Sequence, residues 1–159
     1  MKFMEMNDII KTNALFTRLK AFDPKLSLEI EAYSCKPTKE QKRHKNIPKP
    51  LLFYVCALEL AFPDYDFSNE AMSSFAKTTL DNIKKELSYI FFTLYKNNEE
   101  VSELIAYLDA LLEQCLDLKK TLAFIVDKPA STETGYHRVF LLHDRKLKRI
   151  LVIKTALER

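Results

Sequence analysis

A single glycine, Gly135, serves all 159 residues, and no other feature restricts the chain as much. Dinucleotide fingerprints, phosphate-binding loops and nucleophile elbows all place glycine where backbone approaches a ligand or turns sharply. None of them can be built here, so whole classes of chemistry are excluded. At 47% hydrophobic residues, the chain has the size and composition of one domain spanning 1–159, able to bury roughly 70% of the surface its unfolded form exposes. A net charge of only +3 does not suit a general nucleic-acid coat, so any basic surface must be local. Cys35, Cys56 and Cys115 are odd in number and lack a C-x-x-C pair. That argues against a disulfide framework or a zinc site and for a reducing compartment. The first residues do not develop a signal peptide, and no stretch approaches the roughly 20 apolar residues of a membrane span.

The apolar periodicity predicts an amphipathic helix from Asp8 to about Lys20, built on Ile9, Leu15, Phe16 and Leu19. Lys25 to Tyr33 switches to period two, the pattern of a half-buried strand. Residues 36–50 carry six Lys or Arg against one Glu, with three of the six prolines. This basic linker can neither form a long helix nor bury itself. An almost wholly apolar helix follows from Leu51 to Phe62 and is stopped by Pro63. A long helix is predicted from Ser73 or Ser74 to Leu94 and another from Glu99 to Lys119-Lys120. Strands are predicted at Thr121–Asp127, Tyr136–His143 and Leu147–Thr155, the last two joined by a short turn at Asp144-Arg145-Lys146. Strands apolar on both faces, with helices between the first strand and the last three, give an α/β (α+β) fold. It is a mainly antiparallel sheet of about four to five strands with helices on both faces, a single three-layer sandwich.

Few residues suggest chemistry. Asp64 and Asp66 are spaced to share a divalent cation, but their Pro63 and Ser68-Asn69 surroundings have ordinary turn composition, and a turn is the simpler reading. His44, His137 and His143 read as surface histidines, and Cys56 and Cys115 as small core residues. Two basic clusters remain. Lys42, Arg43, His44 and Lys45 in the linker are nuclear-import candidates. The second cluster is Arg145-Lys146 with Lys148-Arg149. On a strand Lys148 and Arg149 point to opposite faces, and Arg149, sharing its face with Leu147 and Leu151, calls for a partner.

Four segments carry a resemblance. Ile30-Glu31-Ala32-Tyr33-Ser34-Cys35-Lys36 resembles the I-E-x-Y-S-C-K hallmark of the Maf-one-type repressors of RNA polymerase III. Leu52-Phe53-Tyr54 and Pro63-Asp64-Tyr65-Asp66-Phe67-Ser68 are similar to their L-F-Y helix and P-D-Y-D-F-S motif. Arg145-Lys146-Leu147-Lys148-Arg149-Ile150 resembles their basic L-K-R-I strand, and Asn13 in the first helix is shared as well. The chain departs from the family in having no tryptophan, with Phe75 in the corresponding region, a shortened insertion after Lys36, and no acidic tail.

With no apolar stretch long enough to span a bilayer, no membrane partner is expected. The resemblance implies a non-enzymatic monomer without cofactor, nuclear and cytoplasmic, that binds RNA polymerase III near its clamp. It would block productive engagement with the promoter-bound initiation factor that contains the TATA-binding protein. It makes Tyr33, Lys36, Asp64, Tyr65, Asp66, Lys146, Lys148 and Arg149 the partner-binding candidates. It also implies restraint by phosphorylation, for which Thr38, Ser68, Ser73 and Ser74 are candidate acceptors. The competing reading is a small RNA- or DNA-binding module using the linker and the last hairpin, whose binding would fall steeply with salt.

Overall fold

The computed structural model describes residues 1–22, 26–36, 39, 47–64, 66–67, 70–94, 98–126 and 136–157. Among these, the strands β1 (Phe3–Met4), β2 (Leu26–Ser34), β3 (Phe75–Thr78), β4 (Thr121–Val126), β5 (Tyr136–Asp144) and β6 (Arg149–Leu157) form one antiparallel sheet. Its order is β1-β2-β6-β5-β4-β3, so strands from the two ends of the chain lie side by side, Leu26 opposite Leu157 and Ser34 opposite Arg149.

Alternation along β6 explains why its sequence is apolar throughout. Leu151 and Ile153 face a layer made by α1 (Asn7–Phe22), α3 (Leu80–Leu94) and α4 (Asn98–Cys115). Ile150 and Val152 face α2 (Leu51–Ala61) on the other side. All four are fully buried, each contributing about 1.5–3 kcal/mol relative to exposure. The helices match their positions: α3 and α4 each bury one stripe, including Ile83, Leu87 and Phe91 on α3 and Leu104, Leu108 and Leu112 on α4. In contrast, α2 buries eight of its eleven residues, because sheet and neighbouring chain enclose it on more than one side.

The expected antiparallel sheet with helices on both faces is present. Two short edge strands raise the strand number. The long helix expected from Ser73 is instead a 3-10 turn at Met72–Ser74, then β3, then α3. Phe75 packs with Tyr54 and Phe124 beneath α2 while its backbone pairs with Val126 on β4. The helix starts after Thr79, whose Oγ1 accepts the Asn82 N–H at 3.2 Å, an ordinary N-cap bond. Among the described residues no helix is long and apolar enough to cross a membrane.

Candidate functional site

The turn between β5 and β6 organises one end of the sheet. Asp144, the last residue of β5, is fully buried. Its Oδ1 accepts the N–H groups of Lys146 and Leu147, both at 2.9 Å, while Oδ2 accepts the N–H of Asp117 at 2.6 Å. One carboxylate thereby shapes the turn and ties it to the chain leaving α4, through charge-assisted bonds that are stronger than neutral ones. The turn occupies Arg145–Lys148, and Lys148 closes it in the left-handed region at φ 54°.

This corrects the sequence expectation. Leu147 and Lys148 lie in the turn and not on the strand, so the two cations are not consecutive strand residues on opposite faces. Lys148 is exposed, and its carbonyl accepts the Cys35 N–H at 2.9 Å. Arg149 keeps the face of Leu151 and does find a partner: its Nη1 donates to the Cys115 carbonyl at 2.9 Å, at the C-terminus of α4. A cation there complements the negative end of the helix.

Other elements bring further cations to the same end. Just before β1, Lys2 donates its N–H to Ser34 Oγ at 3.2 Å and its carbonyl accepts the Ser34 N–H at 2.9 Å, while Lys36, exposed, follows the end of β2. Lys119 and Lys120, in a 3-10 turn after α4, join through the Arg145 N–H, which donates to the Lys120 carbonyl at 3.4 Å. Lys146 Nζ lies 3.1 Å from Asp117 Oδ2, and this bond foremost holds the Asp117 carboxyl below its usual range. Against Lys2, Lys36, Lys119, Lys120 and the four hairpin cations stand, among the described residues, the carboxylates of Asp117 and Asp144, and that of Asp8 beside Gln114 at the end of α4.

Beneath this surface His143 is buried, contrary to the surface placement expected of it, because alternation on β5 turns it toward α2. Its Nδ1 is 2.9 Å from Tyr54 Oη, and its ring meets Tyr54 and Phe53 edge-on. Burial first, and then Arg145, hold the imidazole below its ordinary range, while burial pushes the Tyr54 phenol up to about 12. Cys35 and Cys56 are each pushed up to about 11, chiefly by burial, so their thiolates are disfavoured.

The structure thus brings Lys36, Lys146, Lys148 and Arg149 together. It does not present Tyr33 as a contact, since that ring is 3% exposed, stacked edge-on with Phe3 and hydrogen-bonded to Glu31. Nor does it bring Asp64 and Asp66 to the same place. They are exposed and follow the C-terminus of α2, where Ala61 accepts from Lys154 Nζ at 3.1 Å, whereas the basic end lies at its N-terminus beside Phe53. The helix α2, eleven residues and about 16 Å long, runs between the two places. Tyr65, Thr38 and Ser68 lie outside the described residues, as do Lys42, Arg43, His44 and Lys45. Sequence reasoning missed Lys2, Lys119 and Lys120 as members of this surface. Lys119-Lys120 carried a signal, but one that marked only a helix end. Among the described residues no group of three or more His, Cys, Asp or Glu side chains is placed to hold a metal ion.

No family model matches the chain. Its sequence is 34% identical over 161 aligned residues to each of two uncharacterised proteins of Encephalitozoon cuniculi (strain GB-M1), covering 100% of this chain and 99% of each relative. The fold is similar to crystal structures of citrus MAF1. One form superposes with a TM-score of 0.75 at 19% identity, covering 96% of this chain and 98% of that one. A second gives 0.70 at 22% identity over 91% and 99%. The chain therefore belongs to the family of the two Encephalitozoon proteins and has a MAF1-like fold.

Proposed function

We propose that this protein is a non-enzymatic negative regulator of RNA polymerase III transcription. It binds the polymerase and blocks its productive engagement with the promoter-bound initiation factor that contains the TATA-binding protein. One observation carries the reading: three of the four segments that resemble the Maf-one-type repressors converge at the basic end. The Tyr33-Ser34-Cys35-Lys36 end of β2 pairs with Lys148 and Arg149 across more than a hundred residues of chain, and Tyr54 of the L-F-Y segment bonds His143 directly beneath. Convergence of distant segments on an exposed charged surface suits a docking face better than a reactive pocket. The MAF1-like fold over nearly the whole chain supports the same reading.

In this reading the protein acts as a monomer without cofactor, and Lys42 to Lys45 direct its entry into the nucleus from the cytoplasm. Ser73 and Ser74, described and next to β3, are candidate acceptors for phosphorylation that restrains repression. The test is transcription of a tRNA template in an extract of the protein's own cells, with an mRNA promoter as control. Purified protein should silence the first and spare the second. Equal output from the tRNA template with and without the protein would overturn the reading.

A further inference from the structure

Among the described residues, the eight cations and the carboxylates of Asp8, Asp117 and Asp144 gathered at the end of the sheet that holds the β5–β6 turn leave a local charge of +5, while the whole sequence carries +3. The remainder of the sequence therefore nets −2. Such segregation in a nearly neutral chain produces a directed field at one end of the sheet. Lys36, Arg145 and Lys148 are exposed there, and their side chains are not spent in the turn's own hydrogen bonds.

Two apolar side chains are exposed on the same end. Leu147, between Lys146 and Lys148 in the turn, is 44% exposed, and Phe3, next to Lys2, is 52% exposed. A phosphate backbone rewards the cations but has nothing to offer a leucine at the centre of the tip. An apolar side chain flanked by carboxylates satisfies both, with a desolvated anchor at the centre and charge around it.

We propose that the basic end binds an acidic polypeptide segment containing an apolar residue, with Lys36, Arg145 and Lys148 meeting its carboxylates and Leu147 its apolar side chain. This names the partner chemistry of the proposed docking face and rests on the reading of the protein as a regulator that works through a protein partner. Charge attraction speeds and orients the encounter, and Leu147 retains the bound segment.

The test is fluorescence anisotropy of the full chain with two labelled probes, a short peptide of mixed Asp, Glu and Leu and an oligouridylate of matched charge. The peptide should bind at low salt and more weakly at about 0.15 M salt, where screening acts within about 8 Å. Lys36→Glu with Arg145→Glu and Lys148→Glu should weaken it by about 100-fold, since each reversal replaces attraction by repulsion. Leu147→Ala should weaken peptide binding by about tenfold and leave oligouridylate binding unchanged. Circular dichroism melts should match wild type for all variants, because these side chains are exposed. Absence of peptide binding at low salt would overturn the inference, as would tighter binding of oligouridylate that is indifferent to Leu147→Ala. If the peptide fails while the tRNA template is still silenced, the partner chemistry is wrong and the repressor reading stands.

Discussion

Asn13 on α1 completes the edge of the sheet at Ile30: its Nδ2 donates to the Ile30 carbonyl and its Oδ1 accepts the Ile30 N–H, both at 2.9 Å. β1 pairs with β2 only at Ala32 and Tyr33. The next residue whose backbone points outward is Ile30, and there one side-chain amide replaces a missing strand residue. Asn13→Ala should cost about 1–3 kcal/mol, because it leaves a donor and an acceptor half-buried without partners. Asn13→Asp should cost at least as much, since a carboxylate cannot donate to the carbonyl. Urea unfolding measures both, and a loss under about 0.5 kcal/mol, the range of ordinary surface changes, would mean that water replaces the amide.

Lys148 and Arg149 should respond differently to charge reversal. Lys148→Glu should stay within about 0.5 kcal/mol of wild type, because the side chain is exposed. Arg149→Glu sets a carboxylate against the Cys115 carbonyl and the negative end of α4, at a cost of about 2–3 kcal/mol. Arg149→Met should cost less than Arg149→Glu, since Arg149 Nε already lacks a hydrogen-bond partner and the stem can still pack. Equal melting temperatures for both reversals would show that the bond to Cys115 contributes nothing.

Lys154 fastens α2 to the sheet. It is 19% exposed on its side chain, with Nζ 3.0 Å from Glu31, 3.5 Å from Glu29, 3.1 Å from the Ala61 carbonyl and 5.4 Å from the centre of the Phe62 ring. Lys154→Met should cost about 2 kcal/mol by removing the only cation paired with Glu31 among the described residues, and adding Glu31→Leu should recover only part of that loss, because the buried Tyr33 hydroxyl then loses its acceptor. A double-mutant cycle in thermal unfolding checks the coupling, and purely additive losses would contradict it.

The His143–Tyr54 pair predicts how stability depends on pH. His143 binds its proton less readily in the folded chain than in the unfolded one. Its contribution is therefore complete above the unfolded value of about 6.5 and declines as pH falls below it, with a slope of at most about 1.4 kcal/mol per pH unit. Melting temperature should drop between about pH 7 and 5.5, a window above the usual carboxylate range. His143→Phe should lower stability at neutral pH, by leaving Tyr54 Oη without its partner, and flatten the profile. An unchanged slope in that variant would assign the effect to another group.

How much of this could be read from the chain depends on how far each signal reaches. β2, β5 and β6 were legible because alternation is local and both faces of the sheet are buried, as Ile150 to Ile153 show. β3 was not, because Phe75 to Thr78 runs into the helical spacing of Leu80, Ile83 and Leu87, and only pairing with the distant Val126 and Ala123 makes it extended. The cations of the hairpin were visible as a cluster, but the turn's phase was set by the buried Asp144 carboxylate, whose bonds to Lys146 and Leu147 displace the strand start to Arg149. Lys2 and Lys119 are far apart in sequence, and only the assembled sheet places them at one end.

Lys148 holds a left-handed backbone conformation with a side chain attached, which costs a non-glycine residue on the order of 1 kcal/mol. Relieving that strain with glycine would give a firmer hairpin and, in the same step, remove a charge from its tip. Stability and partner recognition therefore make opposite demands on this one position, and a variant selected only for heat resistance would drift toward a protein that folds better and docks less well.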